Sequence, residues 1–364
     1  VIGSIPIGST KDLKKPLEHI ARSGFFMPGR FALHDAIYSL IQHSRVIKTP
    51  ARPFVHVDGC PLPARLPRVD RRYPEIERTL YRKVPGLQRA VRALQYASRE
   101  FQVVGLTRTR AALAPIRALG RLQLALQVRD RELRRKVTPD FEIGCKRILL
   151  SNTWYPALNR ENVELVTTPI DRVTRDGIVT ADGVEHPADV LVVATGFHVT
   201  DSPFFERVRG SDGRTLADKW ASEGMEAYKG TTVAGYPNMF VLVGPATGLG
   251  HSSMIYMIES QLNYLVDAVR TMHEHELQTV DVRAAVQDAY NRELREDTGE
   301  TVWVTGCSSW YLDDKGNAPA VWPDFTFAFR RETREFDLSA YHRTPAAGTA
   351  GARQSPQAER EAVL

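Results

Sequence analysis

Cysteine is scarce: Cys60, Cys145 and Cys307 are the only three in 364 residues, odd in number and far apart. That pattern excludes the disulfide framework of a small secreted domain and the paired spacing of a zinc site, and it favours a reducing, cytosolic setting. Long hydrophobic runs are also missing. The longest apolar stretches, 190–194 and 239–243, fall far short of the about 20 residues that a helical span needs. The N-terminus reaches Lys11, Lys14 and Lys15 too soon for a signal-peptide apolar core, so a cytoplasmic protein without a membrane span is expected. There is no internal repeat, and no serine or cysteine sits in a nucleophile elbow. His273 and His275 are two residues apart, where a helical zinc motif needs i and i+4, so no metal is expected. No Gly-x-Gly-x-x-Gly occurs. The opening Gly3, Ser4 and Gly8 are only faintly like a dinucleotide turn, lacking its middle glycine and placing Pro6 where the helix should begin.

What is present is ordinary for a globular chain: 43% hydrophobic and 25% charged residues, with length enough for two domains. The net charge of +5 hides an asymmetry. Between Arg71 and Lys136 there are 17 Lys/Arg against 5 Asp/Glu, which leaves the remainder net acidic. Leu119, Leu122, Leu126 and Leu133 interleave with these arginines at helical spacing, so the block is read as helices with solvated basic faces. No nucleic-acid recognition motif accompanies it, and no nucleic acid is expected.

Residues 1–65 are the least readable, with a possible helix over 31–41 and then Pro50, Pro53, Pro61 and Pro63. Residues 74–136 read as helical, interrupted at Pro85-Gly86, Gly105 and Pro115. A short strand at 163–167 and two Asp-Gly turns, at Asp176-Gly177 and Asp182-Gly183, predict a small antiparallel meander. The run 189–197 predicts a buried parallel strand ending at Ala194-Thr195-Gly196, and 238–244 predicts a second. Ser252 or Ser253 then caps a helix with Met254, Ile258, Leu262, Leu265, Val269 and Met272 on its core face. A further helix is expected over 282–296, and a disordered tail over 344–364.

Three stretches could carry chemistry. Gly244, Gly248 and Gly250, placed between a strand and a helix start, allow a ligand close to the backbone and beside unpaired N–H groups. A plain turn reads the same way. Thr195 and Gly196 offer a hydroxyl and bare backbone at a strand end. Gly144-Cys145-Lys146-Arg147 sets two adjacent cations where an anion such as a phosphate or peroxide could be held; surface charge is the competing reading.

Taken together these residues resemble Baeyer–Villiger (class B) flavin monooxygenases. The motifs are 189–197, then Gly235-Tyr-Pro-Asn-Met-Phe-Val-Leu-Val-Gly-Pro-Ala-Thr-Gly-Leu-Gly-His-Ser-Ser253, preceded by Thr138-Pro-Asp-Phe-Glu-Ile-Gly-Cys-Lys-Arg147 and followed by Ser309-Trp310-Tyr311. The resemblance covers roughly residues 66–343. It implies an α/β, two-dinucleotide-binding-domain flavoprotein fold, partial here, with the Arg-rich helices as an insertion. Its domains would be an unassigned 1–65, an NADP-domain remnant over 66–186, the C-terminal part of an FAD domain over 187–343, and the tail. It further implies FAD and NADPH, and insertion of one oxygen of O2 beside a ketone carbonyl through a C4a-peroxyflavin. Arg147 would stabilise that anion, Lys146 would meet the NADP 2′-phosphate, and Trp310 would hold the nucleotide. Thr195, Gly196, Gly244, Pro245 and Met254 would lie against the flavin, and Leu249, Gly250 and His251 against substrate. The family's two glycine fingerprints and its Phe-x-Gly-x-x-x-His-x-x-x-Trp signature are not in these residues, so a shortened member is expected. The alternatives are an N- or S-oxygenating flavin monooxygenase and a non-catalytic remnant acting as an interaction protein.

Overall fold

The computed structural model describes residues 45–48, 54–58, 65–68, 72–194, 202–307, 309 and 311–346. Strands β1 (Arg45–Lys48), β2 (Phe54–Asp58) and β3 (Arg65–Leu66) precede helices α1 (Glu75–Lys83), α2 (Leu87–Thr107), α3 (Ala114–Gln127) and α4 (Arg131–Val137). Next come β4 (Leu149–Leu150), α5 (Trp154–Leu158), β5 (Glu164–Val166), β6 (Ile170–Val173), β7 (Gly177–Thr180), β8 (Glu185–Pro187) and β9 (Val190–Ala194). The C-terminal half holds α6 (Leu216–Glu223), α7 (Met254–Glu274), β10 (Leu277–Val282), α8 (Ala284–Gly299), α9 (Val302–Thr305), α10 (Thr326–Glu332) and β11 (Tyr341–Pro345). No helix among the described residues is long and apolar enough to cross a membrane.

The Asp-Gly meander forms as expected, β6-β7-β8 antiparallel, with Gly183 at φ +82° in its second turn. The 189–197 run does yield a parallel strand. β9 pairs with β2, Phe54 opposite Val190 through Asp58 opposite Ala194, in a mixed sheet of order β5-β1-β2-β9. It is less buried than expected, since Val190 is 50% exposed. The expected helix over 31–41 lies outside the described residues.

Further expectations are corrected. Gly105 does not interrupt α2. A Cβ there would come within 2.6 Å of the Leu113 side chain, so this glycine serves close packing rather than a break. Of the leucines among the arginines, Leu119, Leu122 and Leu126 are exposed, while Leu133 packs with Leu124, Val128, Val137 and Tyr155. The helix expected from residue 282 starts at Ala284, because Leu277–Val282 is a strand paired antiparallel to β11. That strand takes in Thr344 and Pro345, the first residues of the expected tail; the rest of the tail from 347 lies outside the described residues.

The run 238–244 is not a strand. Asn238 and Val243 have φ of +58° and +57°, and no strand pairs with the run. Its backbone groups find other partners. Val241 N donates to Thr231 O at 2.8 Å, and the fully buried Gln261 side chain accepts from Val243 N (2.9 Å) and donates to Val241 O (3.1 Å) and Gly230 O (2.8 Å). One amide side chain on α7 thus does what a neighbouring strand would do, meeting the requirement that buried backbone groups be paired.

The cysteines give the last correction. Cys145 and Cys307 form a disulfide, their Cα atoms 5.9 Å apart across a sequence separation of 162. Spacing along the chain hid a pair that the fold closes, and scattered cysteines therefore do not argue for a reducing setting. Around the bond, Leu106, Leu113, Ile143, Val302, Trp303 and Tyr311 make one of the cores.

Candidate functional site

The segment carrying Lys146 and Arg147 begins at a turn that only glycine fits. Gly144 has φ +95°, and a Cβ on it would lie 2.5 Å from Leu106 Cδ2. Cys145 after it is fully buried. Lys146 is also buried, its ammonium 4.9 Å from the Phe141 ring centroid, a cation–π arrangement. Arg147 turns outward and borders a cavity of about 510 Å³.

The opposite wall is the glycine-rich loop. Gly248 is clamped on both sides, its N donating to Ala320 O and its O accepting from Trp322 N, each at 2.8 Å. Added Cβ atoms at Gly244 and Gly248 would collide with Gly230 O and Ala320 O, so both glycines permit close backbone approach. Val243 and Ala246 sit at φ +57° and +55°, left-handed conformations costly for residues with a side chain and held here by the Gln261 and Pro319 hydrogen bonds. Gly244, Pro245, Leu249 and Met254 face the cavity, joined by Phe204, Phe205, Trp220, Met225 and Tyr311. Tyr311 is 2% exposed. Burial pushes its phenol upward and the Arg147 charge opposes this without reversing it, so the phenol stays protonated near neutral pH. A larger cavity of about 600 Å³ shares Trp220, Met225, Pro245 and Val321 with this one and is lined by mixed charge, including Lys219, Glu223 and Arg292.

The fold therefore gathers Arg147, Gly244, Pro245, Leu249 and Met254 around one space. It does not bring Lys146, Gly250 or His251 to that wall. Gly250 packs against Trp303 and Leu106. Thr195, Gly196 and Trp310 lie outside the described residues.

His251 points into the protein and meets residues that sequence reading missed. Its side chain is fully buried with Nε2 3.5 Å from Glu100 Oε1, and both ring nitrogens and Trp303 Nε1 lack a hydrogen-bond partner. Glu100 is 4% exposed and accepts from Thr326 N and Thr326 Oγ1, both at 2.8 Å; Tyr96 lies 2.9 Å from the same hydroxyl. Burial would raise the Glu100 carboxyl, but the two bonds from Thr326 and the nearby His251 ring outweigh it and hold the group below the ordinary glutamate value of 4.5. Nothing in the sequence marks Glu100, one acid among arginines on a helix that looks solvated.

No protein-family model matches the chain. A Baeyer–Villiger monooxygenase of Streptomyces coelicolor is 48% identical over 278 residues, which are 76% of this chain and 53% of that protein. The closed crystal structure of cyclohexanone monooxygenase superposes with a TM-score of 0.64 at 22% identity, over 78% of this chain and 61% of that one. An oxidised steroid monooxygenase bound to NADP gives 0.57 at 26% identity, over 67% and 47%. The superpositions establish the fold as a partial two-dinucleotide-binding-domain flavoprotein. With that fold and that sequence identity, the chain belongs to the Baeyer–Villiger monooxygenase family, and it spans about half the length of the curated relatives it matches.

Proposed function

We propose that the protein serves NADPH- and FAD-dependent insertion of one oxygen atom of O2 beside a ketone carbonyl. The observation that carries this reading is the 510 Å³ cavity, where Arg147, the Gly244-Pro245 turn and Met254, from separate stretches of sequence, meet. When bound, FAD reduced by NADPH supplies activation of O2. The residues here fit the ring end of that group: an apolar wall from Leu249 and Met254, bare backbone at Gly244, and a guanidinium. They do not fit its pyrophosphate end, for the described residues contain no strand, glycine-rich turn and helix unit that would cradle one.

Arg147 is exposed to the cavity and carries a permanent positive charge with five donors, which suits it to hold developing negative charge on oxygen. Phe205 and the buried Trp220 offer an apolar wall for the carbon skeleton of a carbonyl compound. Tyr311, kept protonated, is a neutral donor beside that charge. Lys146, next to Arg147, is assigned to the nucleotide 2′-phosphate. The soluble small-molecule partners are then a ketone, O2 and NADPH.

The test is isotopic. The protein is supplied with FAD, NADPH, ¹⁸O₂ and cyclic and linear ketones, alongside an amine and a sulfide. One ¹⁸O in an ester or lactone supports the reading. Label only in the amine or sulfide products replaces it with N- or S-oxygenation, and flavin-bound protein that labels none of them overturns it.

A further inference from the structure

The disulfide joins the two segments that bear the motif residues of this cavity. Cys145 immediately precedes Lys146 and Arg147, and Cys307 lies four residues before Tyr311. The chain is shaped to bring them together. Gly306, next to Cys307, is so tightly placed that a Cβ would stand 2.8 Å from Cys145 Cβ and would press on Val302 O. Cys145 belongs to the core that contains Val302, Trp303 and Tyr311, and Cys307 packs against that core. The two are unequally accessible: Cys145 is 0% exposed, whereas Cys307 is only partly buried.

We propose that Cys145 and Cys307 are a redox modification site: the disulfide fixes the Arg147 segment against the wall that contains Tyr311, and reduction by a small thiol releases it. The unequal exposure sets the course of the exchange. A glutathione-class thiolate attacks Cys307 Sγ, the S–S bond breaks, and Cys145 Sγ leaves as a thiolate that takes up a proton. A second thiolate then attacks the glutathione sulfur of the mixed disulfide, freeing Cys307 as a thiol. Two small thiols are oxidised to their disulfide and the protein takes up two electrons and two protons. The reverse exchange, with glutathione disulfide as oxidant, closes the bond. Released, the 143–148 segment keeps its hydrophobic contacts but loses its covalent anchor to α9 and the loop after it. Any consequence for oxygenation rests on the function proposed above; the pairing and the release do not.

The chain is equilibrated in glutathione buffers, oxidised or reduced, then denatured and alkylated. Of its three cysteines, one, Cys60, should be alkylated after the oxidised buffer and all three after the reduced one, with a Cys145–Cys307 peptide recovered only from the first. Brief trypsin treatment of the folded protein reads the release. Cleavage after Lys146 and Arg147 should be at least about fivefold faster in the reduced form, while cleavage after Arg175, exposed in the β6–β7 turn, stays the same. Cys307→Ser should give the fast pattern in both buffers. Three thiols in the oxidised buffer, one thiol in both, a disulfide to Cys60, or equal cleavage at Lys146 and Arg147 in the two forms would each overturn the proposal. A chain that oxidises no ketone but passes these tests would leave the redox pair standing and remove only the function.

Discussion

Replacing Glu100 tests whether the buried polar cluster behind the glycine-rich loop holds the molecule together. The carboxylate reaches from α2 to the first residue of α10, where Phe325 in the cap position provides no side-chain bond. It therefore caps that helix from a distance, satisfying the Thr326 N–H at the positive end of the helix dipole. Its two 2.8 Å bonds are charge-assisted, and hydrogen bonds to charged groups contribute about 1.5–3 kcal/mol each. Glu100→Ala also leaves the buried Thr326 N–H without its partner, and a buried donor left unpaired costs about 1–3 kcal/mol. Glu100→Gln keeps one acceptor for Thr326 N and offers an amide donor to His251 Nε2, so its loss should be nearer 1–2 kcal/mol. Urea unfolding followed by tryptophan fluorescence measures both. The pH dependence has a fixed sign. Because the folded carboxyl titrates below its ordinary 4.5, its contribution is complete above that value and is lost as pH falls through the lower, folded value. Wild type should thus lose stability in that acid window by an amount that Glu100→Gln does not. A loss under about 1 kcal/mol for Glu100→Ala, or identical acid limbs in wild type and Glu100→Gln, would refute the account.

Three further outcomes follow from the site. With no pyrophosphate cradle among the described residues, the 364-residue chain should purify with less than one FAD per molecule, and a stoichiometric, tightly held flavin spectrum would contradict this. In a chimera where the N-terminal half of the Streptomyces coelicolor relative precedes Leu66, Arg147→Ala should leave flavin reduction by NADPH intact and cut ester formation on the order of 100-fold. Ester formation within about threefold of the parent would remove Arg147 from the chemistry. In the same chimera Lys146→Ala should raise KM for NADPH and spare NADH, narrowing the preference by about 1–3 kcal/mol; equal losses with both nucleotides would defeat the 2′-phosphate assignment.

Local signals were legible where they needed no distant partner. The Asp-Gly turns fixed a hairpin register by themselves, and the 3.6-residue period marked α7 over nearly its whole length. β1 and β2 were missed although β1 carries Val46 and Ile47 and β2 carries Phe54, Val55 and Val57. The surrounding prolines read as breakers of everything nearby, yet they fall between and beside the strands and leave the ladders Arg45–Lys48 and Phe54–Asp58 intact. β10 alternates weakly and finds β11 some 60 residues on, a pairing that no window along the sequence contains.

The orientation of α7 shows why periodicity finds a helix more readily than its buried side. The apolar stripe expected to face the core has Leu262 and Val269 exposed at 41% and 55%. The face that is buried is Met257, Ser260, Gln261, Tyr264 and Ala268, with polar Ser260 and Gln261 at its centre and a tyrosine hydroxyl beside them. The reason lies in what α7 packs against. Beside it runs 238–244, which joins β10 only through Asn238 and has no strand ladder for 241–243, so the interface needs a donor and an acceptor more than it needs another leucine. Gln261 supplies both in one side chain, and Tyr264 closes a second polar contact at 2.8 Å to the Tyr341 hydroxyl. A buried backbone group left unpaired costs about 1–3 kcal/mol, comparable to what one fully buried leucine contributes. Two or three such groups along 241–243 are enough to turn the helix toward its polar side. The same demand sets the candidate site. The hydrogen bond from Val243 to Gln261 holds that residue in its left-handed conformation immediately before Gly244, and so fixes the turn that faces Arg147 across the cavity.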